Sequence, residues 1–245
     1  MRRLAVLIAV AMTAALIGAV AGPSAASAAC AGTKYQRSVE TLLAADTRWG
    51  AVQVNGCHSE VDRIAFTKFQ KFNDVRPVTG TATLLTLQVA QRLARTHYGS
   101  CYPNGLRVCL DLTAQTVWIQ NGSKKIGGPY AARTGVRWSN PDPNKRGGPT
   151  PAGWFRIYEK KRVTTSSIFH VQMPWWQEFT GGIGFHQATT WMYGSTPGSH
   201  GCVNLPPSAA YQFYNLTRIG TVVYSFGRKG GTAAQNSASA NTAGP

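Results

Sequence analysis

One cysteine and two histidines near the C-terminal end stand at spacings that suit nucleophilic chemistry: His186, then Ser199-His200-Gly201-Cys202. A thiol becomes a useful nucleophile when a base or positive charge lowers its pKa, and an imidazole within hydrogen-bond reach is the usual device. His200 precedes Cys202 by two residues, so in an extended segment both side chains share a face. His186 follows the strand-like Gly181-Gly182-Ile183-Gly184-Phe185 and can approach Cys202 from an adjacent strand or turn. Gly201, lacking a side chain, permits a backbone conformation in which consecutive N–H groups point at one spot, the geometry that holds the oxyanion of a tetrahedral intermediate. The chemistry indicated is acyl transfer through a thioester. The alternative is a buried structural cysteine. His58, His97 and His170 sit in other patterned segments and read as ordinary surface or core residues.

The remaining cysteines bear on that choice. There are five: Cys30, Cys57, Cys101, Cys109 and Cys202. Arg2 and Arg3 precede an apolar run from Leu4 to Val20, and small residues follow through Ala29. This is the order of a secretory signal, expected to be cleaved near Ala28 or Ala29 and too short for a spanning helix. Outside the cytoplasm free thiols tend to be oxidised, and an odd one calls for an explanation. The expected pairs are Cys30 with Cys57 and Cys101 with Cys109, each local to its own region, which leaves Cys202 unpaired. The formal charge of +16 falls to 16 − 2 = +14 without Arg2 and Arg3. Such a charge favours an anionic neighbour, and anionic wall polymers fit an exported chain. No recognition helix or RNA-binding motif points to nucleic acid.

Positioning falls to two kinds of element. Residues 30–98 read as a small all-α, three-helix domain. Val61, Ile64, Ala65, Phe69 and Phe72 recur at helical spacing, as do Leu84, Leu87, Ala90 and Ala94. Pro77-Val78-Thr79-Gly80 turns between them, and a third helix is expected around Ser38 to Ala45. From 104 to 227 the period drops to about two. Strands are expected at 106–112, 116–120, 128–134, 154–160, 167–173 and 221–226, with one helix from Pro206 to Leu216, in a mainly β domain built as a sandwich or barrel. The polar, proline-rich segment 137–152 is a lid over a cleft or a surface excursion. Residues 228–245 lack apolar anchors and are expected to be disordered.

The segment Ile183-Gly184-Phe185-His186, twelve further residues, then Ser199-His200-Gly201-Cys202-Val203-Asn204-Leu205 resembles the signature of the L,D-transpeptidases with a YkuD-type catalytic domain. Thr150-Pro151-Ala152-Gly153-Trp154-Phe155 and Met173-Pro174-Trp175-Trp176 extend the similarity over roughly 104–227. The helical unit, with Phe69-Gln70 and Val78-Thr79-Gly80, resembles a peptidoglycan-binding domain. The resemblance implies Cys202 as nucleophile and His186 as its base, oriented by the backbone carbonyl of Gln187. Ser199 and His200 shape the site, and Gly201 and Cys202 supply oxyanion-hole amides. Asn204, Gln187, Trp175 and Phe185 are the expected contacts to substrate. Trp175, Trp176 and Trp191 fit core or rim packing as well as a stem peptide. The implied reaction acylates Cys202 with a peptidoglycan tetrapeptide stem, releases D-alanine and passes the acyl group to the amine of a second stem. Water in place of the amine would make a carboxypeptidase. No cofactor or metal is called for, and inhibition by carbapenems is implied.

Three rivals remain from the sequence. His186, His200 and Cys202 are three potential zinc ligands, although no His-Glu-x-x-His or paired Cys-x-x-Cys accompanies them. A sortase-like transpeptidase would need an arginine after the cysteine, for which Arg218 is the nearest choice. A non-catalytic wall-binding protein would place all function in the helical unit.

Overall fold

Short polar side chains start two of the three N-terminal helices, α1 (Gln36–Ala44), α2 (Glu60–Asn73) and α3 (Leu84–Ala94), in the computed structural model of the chain. Described are residues 30–101, 104–136, 147–188, 190–193 and 198–229. The expected signal, residues 137–146 of the proline-rich loop and the tail from residue 230 lie outside them. The chain separates into Met1–Cys30, of which only Cys30 is described, and Ala31–Pro245, which holds both the helices and the sheets.

Ser59 accepts from Asp62 N–H while the Asp62 carboxylate accepts from Ser59 N–H, a reciprocal cap on α2, and Thr83 caps α3. The apolar stripes differ from expectation by about one position. Ala65, Phe66 and Phe69 of α2 and Val89, Ala90 and Leu93 of α3 are buried with Val39, Leu43 and Trp49. Val61, Ile64 and Leu84 face outward. On α2 the capping box turns Asp62 inward, and Val61 and Ile64 rotate out. The turn between α2 and α3 is held by buried Gln70. Its Nε2 donates to Thr81 O and Thr86 Oγ1, and its Oε1 accepts from Thr79 and Gly80 N–H.

The β part forms two mixed sheets. β1 (Leu106–Asp111), β2 (Thr116–Asn121), β3 (Lys124–Ala131), β4 (Gly153–Arg156) and β9 (Val222–Phe226) make one, in the order β3-β2-β1-β9-β4. β5 (Glu159–Thr165), β6 (Gln172–Thr180), β7 (Ile183–Gln187) and β8 (Val203–Leu205) make the other, in that order. β1–β9 and β7–β8 are parallel, and the other pairs antiparallel. Helix α4 (Pro207–Leu216) contributes Ala209, Ala210 and Phe213 to a core that also takes Val108, Leu110, Ile119 and Tyr130 from the first sheet and Phe179, Phe185, Val203 and Leu205 from the second.

The segment expected to be one strand over 154–160 is cut in two. Ile157 N–H donates to Thr221 O beside the first sheet, whereas Tyr158 N–H donates to Glu178 O in the second. One chain thus crosses between sheets at Ile157. The expected strand at 167–173 is largely a turn: Ser166 Oγ accepts from Ile168 and Phe169 N–H, and His170 has φ 52°. β6 begins only at Gln172. Its first half carries Pro174 and has β5 but not β7 as neighbour, which tolerates the missing N–H.

The helical part is tied to the sheets by Arg92 Nη1 donating to Ala132 O (3.3 Å), Tyr193 Oη donating to Asn73 O (2.7 Å) and the Phe72–Tyr130 ring stack. His97, expected to be an ordinary residue, anchors the end of α3 to β1 by directing both its backbone N–H and Nδ1 at buried Asp111.

Candidate active site

Strand alternation decides which side chains can meet. β7 and β8 run parallel with Phe185 beside Val203, His186 beside Asn204 and Gln187 beside Leu205. Phe185 therefore points into the core, where its ring packs on Phe179 (4.9 Å) and Phe213 (4.6 Å), and His186 points to the opposite face. Beyond β8, Arg133 joins the sheet by an antiparallel bridge to Asn204, with N–H···O distances of 3.0 and 2.9 Å in the two directions.

The turn that delivers Cys202 is tightly bonded. Ser199 N–H donates to Thr134 O and Val136 N–H to Ser199 O. Ser199 Oγ accepts from Gly201 N–H (3.1 Å) and donates to Cys202 O (2.5 Å). From the far side, buried Thr150 donates through Oγ1 to Gly201 O (2.6 Å) and accepts from Gly135 N–H (2.8 Å). Gly201 has φ +134°, a conformation that residues with side chains rarely adopt. Its amide is spent on Ser199 Oγ, which differs from the expectation that it faces an oxyanion. Cys202 N–H has no acceptor among the described residues.

Cys202 is the free cysteine. Cys101 and Cys109 form a disulfide with Cα atoms 6.0 Å apart, and Cys30 and Cys57 are also in disulfide form. The Cys202 thiol lies 3.8 Å from Gly182 O. Burial pushes its pKa up and the Glu178 carboxylate adds to this, while Gly184 N–H, directed at the sulfur, opposes them. His186 is 7% exposed, and burial lowers its pKa from the usual 6.5 to about 4, against the pull of Gln187 O. Nδ1 lies 2.8 Å from Gln187 O and Nε2 lies 2.9 Å from Asn204 Nδ2. At neutral pH one cleft therefore holds a neutral imidazole and a protonated thiol. The two are not hydrogen-bonded to each other.

Both groups line a cleft of about 1400 Å³ that the tip of the β5–β6 hairpin also lines. Phe169 from that tip lies over His200, with ring centroids 4.6 Å apart. Of the expected substrate contacts, Asn204 and Gln187 line the cleft. Phe185 does not, because alternation sends it to the core. Trp175 does not either: it has φ 60° and packs on Tyr211 (5.1 Å) and Tyr214 (5.5 Å) of α4. Its neighbour Trp176 faces the cleft and donates through Nε1 to Glu159 (2.7 Å). The side chain of Trp191 is outside the described residues. No group of three or more His, Cys, Asp or Glu side chains disposed to hold a metal occurs among the described residues.

Comparison with known proteins gives the family and the fold. The family model for the L,D-transpeptidase catalytic domain, YkuD, matches residues 105–224. The crystal structure of an L,D-transpeptidase (Yku) from Stackebrandtia nassauensis is 36% identical, covers 82% of this chain and 95% of its own, and superposes with a TM-score of 0.73. This chain belongs to the L,D-transpeptidase family. The 82% covered is more than the β part alone can supply, so the likeness extends into the helices. An L,D-transpeptidase from Xylanimonas cellulosilytica, 19% identical over 80% of this chain and 94% of its own, shares the fold with a TM-score of 0.50. Comparison with curated proteins gives no match.

Within the L,D-transpeptidase site, sequence reasoning missed Arg133, Thr150 as a clamp on Gly201, and the Gly182 and Gly184 backbone beside the thiol. For Thr150 the available signal was the Thr150-Pro151-Ala152-Gly153 motif in which it stands. Arg133 carried none, because only the bridge to β8 brings it to Asn204.

Proposed function

We propose that this L,D-transpeptidase forms a thioester between Cys202 and a peptidoglycan stem peptide, with His186 as the base. The observation that carries the proposal is the pairing of one free thiol with a neutral imidazole in a single cleft, the other four cysteines being in disulfides. Cys202 Sγ attacks the carbonyl carbon of the third stem residue as its proton passes to His186 Nε2, whose lone pair first gives up its hydrogen bond from Asn204 Nδ2. The peptide C–N bond then breaks, and the departing amine of D-alanine takes that proton. In the second half, the amine of another stem attacks the thioester and yields a proton to His186, and Cys202 recovers it as the thiol leaves. Cys202 N–H donates to the oxyanion in both halves. A general base contributes about 100- to 10,000-fold to such transfers.

The organisation follows the sequence. Residues 1–29 direct export, 30–98 form a wall-binding unit, 104–227 carry the reaction, and 228–245 form a tail. The protein acts outside the cytoplasm, where a charge near +14 favours retention by anionic wall polymers. No helix among the described residues is long and apolar enough to cross a membrane.

Intact-mass measurement after incubation with a tetrapeptide stem tests the reading. The expected result is an adduct of the donor minus D-alanine on Cys202, absent from Cys202→Ala, and resolved by an acceptor amine. An unmodified wild-type protein that releases no D-alanine would refute it.

A further inference from the structure

We infer that Arg133 is a positioning residue which, through Asn204, fixes the protonation pattern of His186. Arg133, Asn204 and His186 stand side by side on adjacent segments: a bridge joins the first two, and parallel pairing of β7 with β8 joins the last two. Arg133 is 5% exposed. Its Nη1 is 3.2 Å from Asn204 Oδ1, and its Nη2 donates to Gly198 O at 2.5 Å.

A guanidinium has donors only and keeps its protons at any working pH. The end of the Asn204 amide facing Arg133 is therefore the oxygen. The amide has one other end, its NH2, and that end lies 2.9 Å from His186 Nε2. A donor opposite Nε2 requires a lone pair there. The ring proton must then sit on Nδ1, where it donates to Gln187 O at 2.8 Å. One group that cannot exchange its role thus orders two that can: an amide able to flip and an imidazole with two tautomers. With Arg133 in place Nε2 keeps a lone pair, which accepts from Asn204 at rest and can accept from a thiol once that bond opens; without Arg133 the Asn204 amide can present Oδ1 to Nε2, which favours a proton there and leaves no lone pair to release.

The catalytic consequence rests on His186 being the base for Cys202, but the positioning can be measured separately. Histidine-15N spectra of the full chain report which ring nitrogen carries the proton. The wild type is expected to show His186 neutral and protonated on Nδ1 from pH 5 to 8. Arg133→Met is expected to show both tautomers, and Arg133→Lys, which keeps a donor-only cation, to return toward the wild-type pattern. Signals of His58, His97, His170 and His200 should stay unchanged, as a check that the fold persists.

Acylation by a tetrapeptide donor should fall in kcat by at least about tenfold in Arg133→Met, up to the roughly 10,000-fold that a general base supplies, with KM little changed and with partial recovery in Arg133→Lys. A single Nδ1-protonated tautomer in folded Arg133→Met overturns the inference, whatever the activity. The expected spectra in a wild type that forms no acyl-enzyme would sink the proposed reaction and leave the positioning intact. Should Arg133→Met fail to fold, Asn204→Asp serves instead. Its acceptor-only carboxylate should move the proton to Nε2 and hold the ring charged to higher pH, and an unchanged His186 spectrum there overturns the inference.

Discussion

His186 makes stability depend on pH in a direction its burial dictates. In the unfolded chain its imidazole takes up a proton as pH falls through 6.5, while in the folded protein it stays neutral until about pH 4. Between those values the unfolded state binds more protons, so stability rises with pH there and is lost on acidification. At ~1.4 kcal/mol per pH unit, the interval from 6.5 to about 4 corresponds to roughly 3 kcal/mol. His186→Gln removes the titrating group and keeps a neutral polar side chain. The assay is urea unfolding at a series of pH values from 4 to 8 for both proteins, read as the difference between their two curves so that the carboxylates and other histidines cancel. The variant is expected to be the less stable form at pH 7, where the Gln187 O and Asn204 contacts are lost, and the gap should shrink by roughly 3 kcal/mol by pH 4. Parallel curves would mean that the imidazole is not held neutral, and the account of a neutral base in the cleft would fall with them.

Other perturbations have equally definite outcomes. Thr150→Val orphans Gly201 O and Gly135 N–H, at a cost of about 1–3 kcal/mol for each buried group, and should lower the unfolding midpoint and slow acylation together. Gly201→Ala forces a side chain into φ +134° with its Cβ 3.0 Å from Ile183. It should cost about 1–3 kcal/mol by denaturant unfolding and loosen the turn that carries Cys202. Glu178→Gln removes a carboxylate that helps raise the Cys202 pKa, so alkylation by iodoacetamide at pH 8 should quicken by about two- to tenfold. Phe169→Ala strips the cleft wall above His200, and donor KM should rise roughly 3- to 30-fold with little change in kcat.

How much of this was legible in the sequence depended on whether a residue's role was set locally. The change from helical to strand period, the Ser-His-Gly-Cys turn and the histidine at the end of a strand all reported themselves, because spacing along one segment fixes which side chains share a face. The stripe on α2 was displaced because Asp62, polar and at the third helical position, is turned inward by its bond to Ser59, which hydrophobic periodicity ignores. The strand boundaries from 154 to 180 shifted because the chain changes sheets at Ile157, and lysine- and arginine-rich β5 is held by pairing with β6 rather than by its own apolar pattern. Trp175 and Trp176 are adjacent tryptophans with opposite fates, and only a register fixed by β7 says which one sees the cleft. Arg133 is 71 residues from Asn204, a separation across which sequence spacing carries no information.

The opposite shifts of His186 and Cys202 bear on how a free thiol persists in the compartment proposed for this chain. Oxidation proceeds through the thiolate, so a thiol whose pKa is raised by burial and by Glu178 presents little of the reactive form to solvent. The same burial that keeps the imidazole neutral keeps a proton acceptor in the same cleft as that thiol at neutral pH. In the proposed reaction activation is then tied to the substrate. There, only when a carbonyl is seated against Cys202, with its oxygen toward Cys202 N–H, does negative charge moving from sulfur to oxygen gain a donor, and the proton released by sulfur passes to Nε2 as Asn204 yields it. A permanently ionised pair would react faster with small electrophiles and oxidants. Under the proposed reaction, a neutral pair reserves its reactivity for an acyl group bound in the cleft, which suits an enzyme whose other four cysteines are already oxidised.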